Sequence, residues 1–304
     1  MAGRNIRSGA PGGYSAAATN GEREEAHREH QGESTSGSTL APATKVAKFS
    51  RGPTEHALNV GKYAAERVKG REATIRRAFV GCDRVDSRPP LARVLSGGQG
   101  GEVRLKLYLS MLFIAVAHPY ATSFPTRAWA ELFGLPAPES DGARRVRDAI
   151  RWLEKNKLVR VVRRPGKEAE VFLLSDDGSG KPFKIVSKDT DIWIKLPPEL
   201  WAKGWMATLS GRALAILLVL VDWSSSLGIK SGGTFWVPPN RAKELYSLSP
   251  ETWTRGSAEL EAHGLLTSRM AYFKESPLGA LRRRKEYSLN LARLKAPPST
   301  APHS

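Results

Sequence analysis

The chain has 304 residues, 40% of them hydrophobic, which suits two ordinary cores with tails. Its 47 Lys and Arg outnumber 30 Asp and Glu, giving a formal net charge of +17 that a small acidic substrate would not need and an anionic polymer or surface would. The single cysteine, Cys82, excludes an internal disulfide and a multi-cysteine zinc site and fits a reducing cytoplasm.

Residues 1 to 45 are Gly, Ser, Ala, Thr and charged residues, without the apolar core of a secretion signal. They cannot bury enough surface to offset chain entropy, so 1–53 is expected to be a disordered tail. Residues 54–80 show weak helical periodicity and many Lys and Arg. With the Pro89-Pro90 and glycine punctuation of 85–102, they predict a basic helical arm and linker over 54–101.

The pattern becomes globular near Val103. An apolar helix is expected over 103–117, ending before His118-Pro119. A short one follows from Pro125 or Thr126 to Phe133, stopped at Gly134, and a third covers about 143–157. VRVVRR (159–164) and EVFLL (170–174) read as strands around a turn. Helix, helix, helix, strand, turn, strand is the order of a winged helix-turn-helix, here placed at 102–176. The segment 177–208 joins the domains, with FKIV and DIWIKLP as strands and PPELWAKG as a helical turn or two.

A second domain is expected over 209–296, followed by a tail over 297–304. Ser210 starts an apolar helix, then come PPNRAKELYSL, SPETWTRGSAELEAHGLL, the strand TSRMAYF, a long basic turn KESPLGALRRRKE and YSLNLARL. The longest apolar stretches, 107–117 and 213–221, are shorter than the ~20 residues of a membrane span and read as buried helices. The reading is therefore a soluble, cytoplasmic protein with no membrane partner.

The halves form an internal repeat. At an offset of 113 residues Pro125 meets Pro238, Glu131 meets Glu244, Leu132 meets Leu245, Phe133 meets Tyr246 and Leu135 meets Leu248. At an offset of 107, Val146 meets Trp253, Leu153 meets Leu260, Glu154 meets Glu261 and Leu158 meets Leu265. The difference falls in the 136–142 loop, where an insertion costs least. The expected fold class is α+β, mostly helical, with two tandem winged helix-turn-helix domains.

At 100° per residue, Val146, Ala149, Ile150 and Leu153 share one face of the third helix, flanked by Arg145 and Trp152. Arg144, Arg147, Arg151 and Lys155 lie opposite. B-DNA presents one negative charge per ~1.7 Å of axis and a major groove wide enough for one helix. These arginines are thus candidates for base edges or phosphates. Thr126 and Arg127, at the preceding helix start, could bond a backbone phosphate. Arg163, Arg164 and Lys167 flank the Pro165-Gly166 turn of a wing. A basic helix face is often merely solvated; here helix, wing and net charge agree.

In the second domain Ser249 is an N-cap and Pro250 the first helical residue. Trp253 and Leu260 are expected to face the core. Thr254, Arg255 and Ala258 face outward, with Glu251 nearby, and suit either a DNA groove or a protein; Thr252, in the helix start, is a further DNA-contact candidate. Lys274, Arg282, Arg283, Arg284 and Lys285 form a basic wing, expected to hold phosphates.

The six histidines, His27, His30, His56, His118, His263 and His303, form no HxH motif. SGGQGGE (96–102) lacks the Gly-Lys-Ser/Thr of a nucleotide loop. Asp176-Asp177 and the Asp189, Asp191 pair lack a third ligand, and no Ser, His and Asp set emerges. No metal, cofactor or catalytic residue is expected, so the chain reads as a non-enzyme.

By architecture and the matched patterns over about 103–294, the chain resembles the tandem winged-helix replication initiators of plasmids. The long basic N-terminal region departs from that layout. The resemblance implies sequence-specific double-stranded DNA binding, a capacity for homodimer formation, recruitment of replication proteins, and association with nucleoid or plasmid. A transcriptional regulator would make the same DNA contacts. A winged-helix scaffold would instead use the apolar helices at 103–117 and 210–223 to bind protein.

Overall fold

Thr54 caps the first described helix, its hydroxyl accepting a hydrogen bond from the Ala57 amide at 3.2 Å. The structure, a computed structural model, describes residues 52–82, 88–98, 100–184, 193–274 and 280–298. The disorder expected over 1–51, His27, His30, Asp189, Asp191 and the tail from 299 lie outside the described residues.

Helix α1 (Glu55–Arg67) is followed by strand β1 (Ala73–Arg76) and the short helices α2 (Arg77–Val80) and α3 (Pro90–Leu95). The arm and linker expected here are built into the fold instead. α1 buries Ala57, Gly61 and Ala64, small residues that give a weak stripe in sequence. At Gly61 a Cβ would stand 2.1 Å from the Trp201 carbonyl oxygen, so only glycine allows this crossing. Strand β1 pairs antiparallel with the distant β5 (Trp193–Leu196), Ala73 opposite Leu196.

The first module contains α4 (Gly101–Ile114), β2 (Ala121–Thr122), α5 (Thr126–Leu132), α6 (Ala143–Lys155), β3 (Val159–Val162) and β4 (Glu170–Leu173). Helices α7 (Glu199–Ala202) and α8 (Trp205–Thr208) follow β5. The second module contains α9 (Gly211–Ser226), β6 (Thr234–Trp236), α10 (Pro239–Tyr246), α11 (Pro250–Ala262), β7 (Leu266–Phe273) and β8 (Arg282–Leu289). The fold is α+β with small sheets.

Helix, strand, helix, helix, strand, strand occurs twice, and the two three-stranded sheets, β2-β4-β3 and β6-β8-β7, share one order. α5 and α10 start 113 residues apart, α6 and α11 107, the offsets read from the sequence. Positive φ recurs at matched ends: Gly134 (64°) with Ser247 (50°), and Lys157 (59°) with Gly264 (70°). Ser210 and Ser249 cap α9 and α11, accepting from the Ala213 amide at 3.2 Å and the Thr252 amide at 3.1 Å. β2 and β6 were not expected, being too short for an alternation to register. The basic run at 282–286, expected as a turn, lies in β8.

One continuous apolar core contains side chains of both modules, and the described residues fall in one compact unit. The expected division into separate domains at 102–176 and 209–296 is therefore not a break in packing. Trp201 of α7 stacks on Phe113 of α4 at 3.9 Å between centroids, and its indole donates to Ser110 Oγ at 2.8 Å.

A polar clasp joins the modules at the start of α9. Glu102 accepts from the Gly211 amide at 3.2 Å and lies 2.7 Å from Lys106 Nζ. Glu259 accepts from the Ser210 amide at 2.6 Å and its hydroxyl at 2.5 Å. Both carboxylates sit where a helix N-terminus favours negative charge. Burial opposes ionisation of Glu102, but Lys106, the Gly211 amide and Arg145 hold its carboxyl below the ordinary value. Burial pushes the Glu259 carboxyl up despite Ser210. Among the described residues no helix is long and apolar enough to cross a membrane.

Candidate nucleic-acid interface

The structure gives α6 two opposed faces. Ala143, Val146, Ala149, Ile150 and Leu153 are buried, while Arg144, Arg147, Arg151 and Lys155 are exposed. Arg144 lies 3.1 Å from Asp141 and Arg151 2.5 Å from Asp148. Exposed pairs of this kind contribute ~0–1 kcal/mol, so a phosphate or a base edge can displace them. Arg145 departs from this face: it is half-buried, and its charge acts on Glu102. The half-buried Trp152 is covered by the Arg104 guanidinium, 4.6 Å from the ring centroid.

Glu154 ties the helix to the first hairpin. One carboxylate oxygen accepts from the Val161 amide at 3.2 Å, the other from Arg163 at 3.0 Å. Pro165-Gly166 makes the turn, with Gly166 at φ 69°. Arg164 lies 3.6 Å from Glu170, and Lys167 is exposed. The last turn of α6 is thus tied to the hairpin that carries Arg163. Thr126, half-buried, begins α5. The neighbouring Arg127 is exposed and held by Glu131 at 3.0 Å and Glu139 at 2.5 Å, which weakens it as a phosphate ligand. A groove of about 500 Å³ separates this helix start from α1, between Tyr63, Arg67, Phe124 and Pro125.

The exposed side of α11 is less basic. Thr254, Arg255 and Ala258 are exposed, and Arg255 and Arg212 share Glu251 at 3.2 and 3.7 Å. Thr252 belongs to the cap, its hydroxyl 2.9 Å from Ser249 Oγ. Trp253, expected in the core, is half-buried, and its indole donates to the hydroxyl of the buried Tyr287 at 3.0 Å.

The second hairpin divides the expected basic cluster between two faces, since strand side chains alternate. Arg284 donates two bonds to Glu286, at 3.0 and 2.8 Å, with its guanidinium 4.8 Å from the Phe273 centroid and 5.5 Å from that of Trp236. Arg269 reaches the other Glu286 oxygen at 3.1 Å. Hydrogen bonds from Arg284, then Arg269, hold the Glu286 carboxyl below the ordinary value. Arg284 therefore serves the hairpin's own structure. Arg283 and Lys285 lie on the opposite face, Lys285 3.5 Å from Glu261. Lys274 and Arg282 are exposed.

Three exposed side chains beside these cations escaped the sequence reading. Arg160 of β3 lies over Phe172 at 4.3 Å, and Met270 and Tyr272 project from β7. The period-2 pattern of LTSRMAYF was the available signal for the last two. Among the described residues no three His, Cys, Asp or Glu gather to hold a metal. Comparison with protein-family models, with curated proteins and with solved structures finds no match.

Proposed function

We propose that the chain is a non-enzymatic, sequence-specific double-stranded DNA-binding protein, its two repeats being winged helix-turn-helix modules, and that it acts as a replication initiator of a plasmid or mobile element. The observation that carries the reading is the α6 face: four exposed cations opposite a buried stripe, beside a hairpin bearing Arg163, Arg164 and Lys167. An α-helix with side chains is ~10–12 Å across and the major groove ~12 Å wide. Arginine presents paired donors that match guanine O6 and N7. The repeated topology supports two such modules on one duplex, and the clasp at Glu102 and Glu259 supports a fixed geometry between them.

The test is to sequence the genomic fragments that the full chain retains and to titrate the recovered duplex against salt. Clustered direct repeats beside the protein's own reading frame, with log K falling by ~0.9 per neutralised phosphate, are the expected result. A single palindrome at a promoter would favour a transcriptional regulator. Retention of no duplex would overturn DNA binding altogether.

A further inference from the structure

The two faces of the second hairpin differ in chemistry. One is closed on itself by Arg269, Glu286 and Arg284, with the adjacent rings of Trp236 and Phe273 both against the Arg284 guanidinium. The other begins in the core with Leu266, Tyr287 and Leu289, then continues outward with Met270 opposite Lys285 and Tyr272 opposite Arg283. There the apolar side chains are no longer covered. Met270 is 51% exposed, Tyr272 67%, and Leu281, just ahead of β8, 62%. Only two other large hydrophobic residues among those described are as open, Tyr63 and Leu227, and both lie elsewhere in the chain. Exposed apolar side chains concentrated on one hairpin mark an interaction site.

We propose that this face enters the minor groove of duplex DNA and that Tyr272 and Met270 wedge between base steps, bending the duplex that the protein binds. The inference rests on the DNA-binding reading and adds to it a mechanical action on the duplex. Charge selects the occupant: Lys285 and Arg283 stand opposite the two apolar side chains, and Lys274 follows β7. Apolar side chains among Lys and Arg are the composition that unstacks and bends DNA from the minor groove. Spacing agrees as well. Residues two apart on a strand are ~7 Å from each other, about two base-pair steps of ~3.4 Å. A wedge must not yield, and the closed face stiffens the hairpin behind it. Helix α11, whose one arginine, Arg255, lies 3.2 Å from Glu251, offers little attraction of its own, so the module's hold on DNA falls to its hairpin.

The experiment uses the full chain and a duplex selected by it from a random pool, labelled at both ends for energy transfer and carrying 2-aminopurine across the site. The expected result is a bend within about 20–90° and a rise in 2-aminopurine fluorescence on binding. Met270→Ser combined with Tyr272→Ser should abolish both, leaving the salt dependence of affinity unchanged because no charge is lost. Tyr272→Phe should keep both, and a thermal melt like that of the parent chain shows that the double variant folds. An unchanged bend and fluorescence in the double variant overturns the proposal. So does a loss of self-association with bending intact, which would assign the face to a second copy. If the parent chain selects no duplex, the DNA-binding reading fails first and this one with it.

Discussion

Helices α6 and α11 occupy equivalent places in the two repeats, yet Arg144, Arg147, Arg151 and Lys155 of the first correspond to Glu251, Thr254, Ala258 and Ala262 of the second. The buried positions keep their character: Leu153 corresponds to Leu260 and Leu158 to Leu265, all at or below 1% exposure. Glu154 and Glu261 keep a shared task, each tying its helix to the equivalent place on the next strand, Val161 in one module and Ser268 in the other. The hairpins diverge the other way. β3 and β4 have four residues each, β7 and β8 eight, and the longer pair carries the exposed Met270, Tyr272, Arg283 and Lys285. Packing constrains what the two units must share and leaves solvent-facing positions open to different chemistry. In this molecule the first module carries cations on both its helix and its hairpin, the second almost only on its hairpin.

The largest effect should come from the positions that match. Leu153→Ala and Leu260→Ala should each cost ~2–5 kcal/mol, the range for truncating a fully buried leucine. Because the modules share a core, either variant should still unfold in one transition in urea. Two transitions, with half the signal shifted, would break the picture of a joined pair. Next come the positions that differ. Arg147→Ala should weaken binding to a selected duplex by ~1–3 kcal/mol if it reads a base, whereas its counterpart Thr254→Ala should fall within about 0.5 kcal/mol of the parent. Equal losses in a fluorescence titration would erase the contrast between the helices.

The smallest effect concerns the second hairpin alone. The Glu286 carboxyl is depressed in the folded protein, chiefly by Arg284. Its contribution is present above the ordinary glutamate value of ~4.3 and is lost as pH falls through the lower folded value. Amide exchange at β7 and β8 should gain protection as pH rises through that window, after correction for intrinsic rates. Glu286→Gln should remove that dependence, and its persistence in the variant would assign it to another group.

Much of this was legible because local periodicity carried it. The α6 stripe, the Ser249-Pro250 start and the matched Leu and Glu positions depend on neighbours within a turn or two. What escaped depends on distant partners. β1 has its mate more than a hundred residues away at β5, and α1 is held through small residues against the Trp201 backbone. Helix α4, buried from Val103 to Ile114 apart from Arg104, announces burial without saying against what, so the joining of the modules could not be read. The run Arg282–Lys285 looked like one cluster because charge masks a strand's alternation, and only Glu286 and the aromatic pair Trp236 and Phe273 give Arg284 its separate place.

The most direct measurement transplants one helix face onto the other. A chain carrying Arg144→Glu, Arg147→Thr, Arg151→Ala and Lys155→Ala would present the α11 surface on α6, and its affinity for a selected duplex would be followed as salt is raised. The expected result is an intact fold, loss of preference for the selected site over random duplex, and a salt slope flatter by ~0.9 for every phosphate those cations held. A transplanted chain that keeps both its preference and its slope would contradict it.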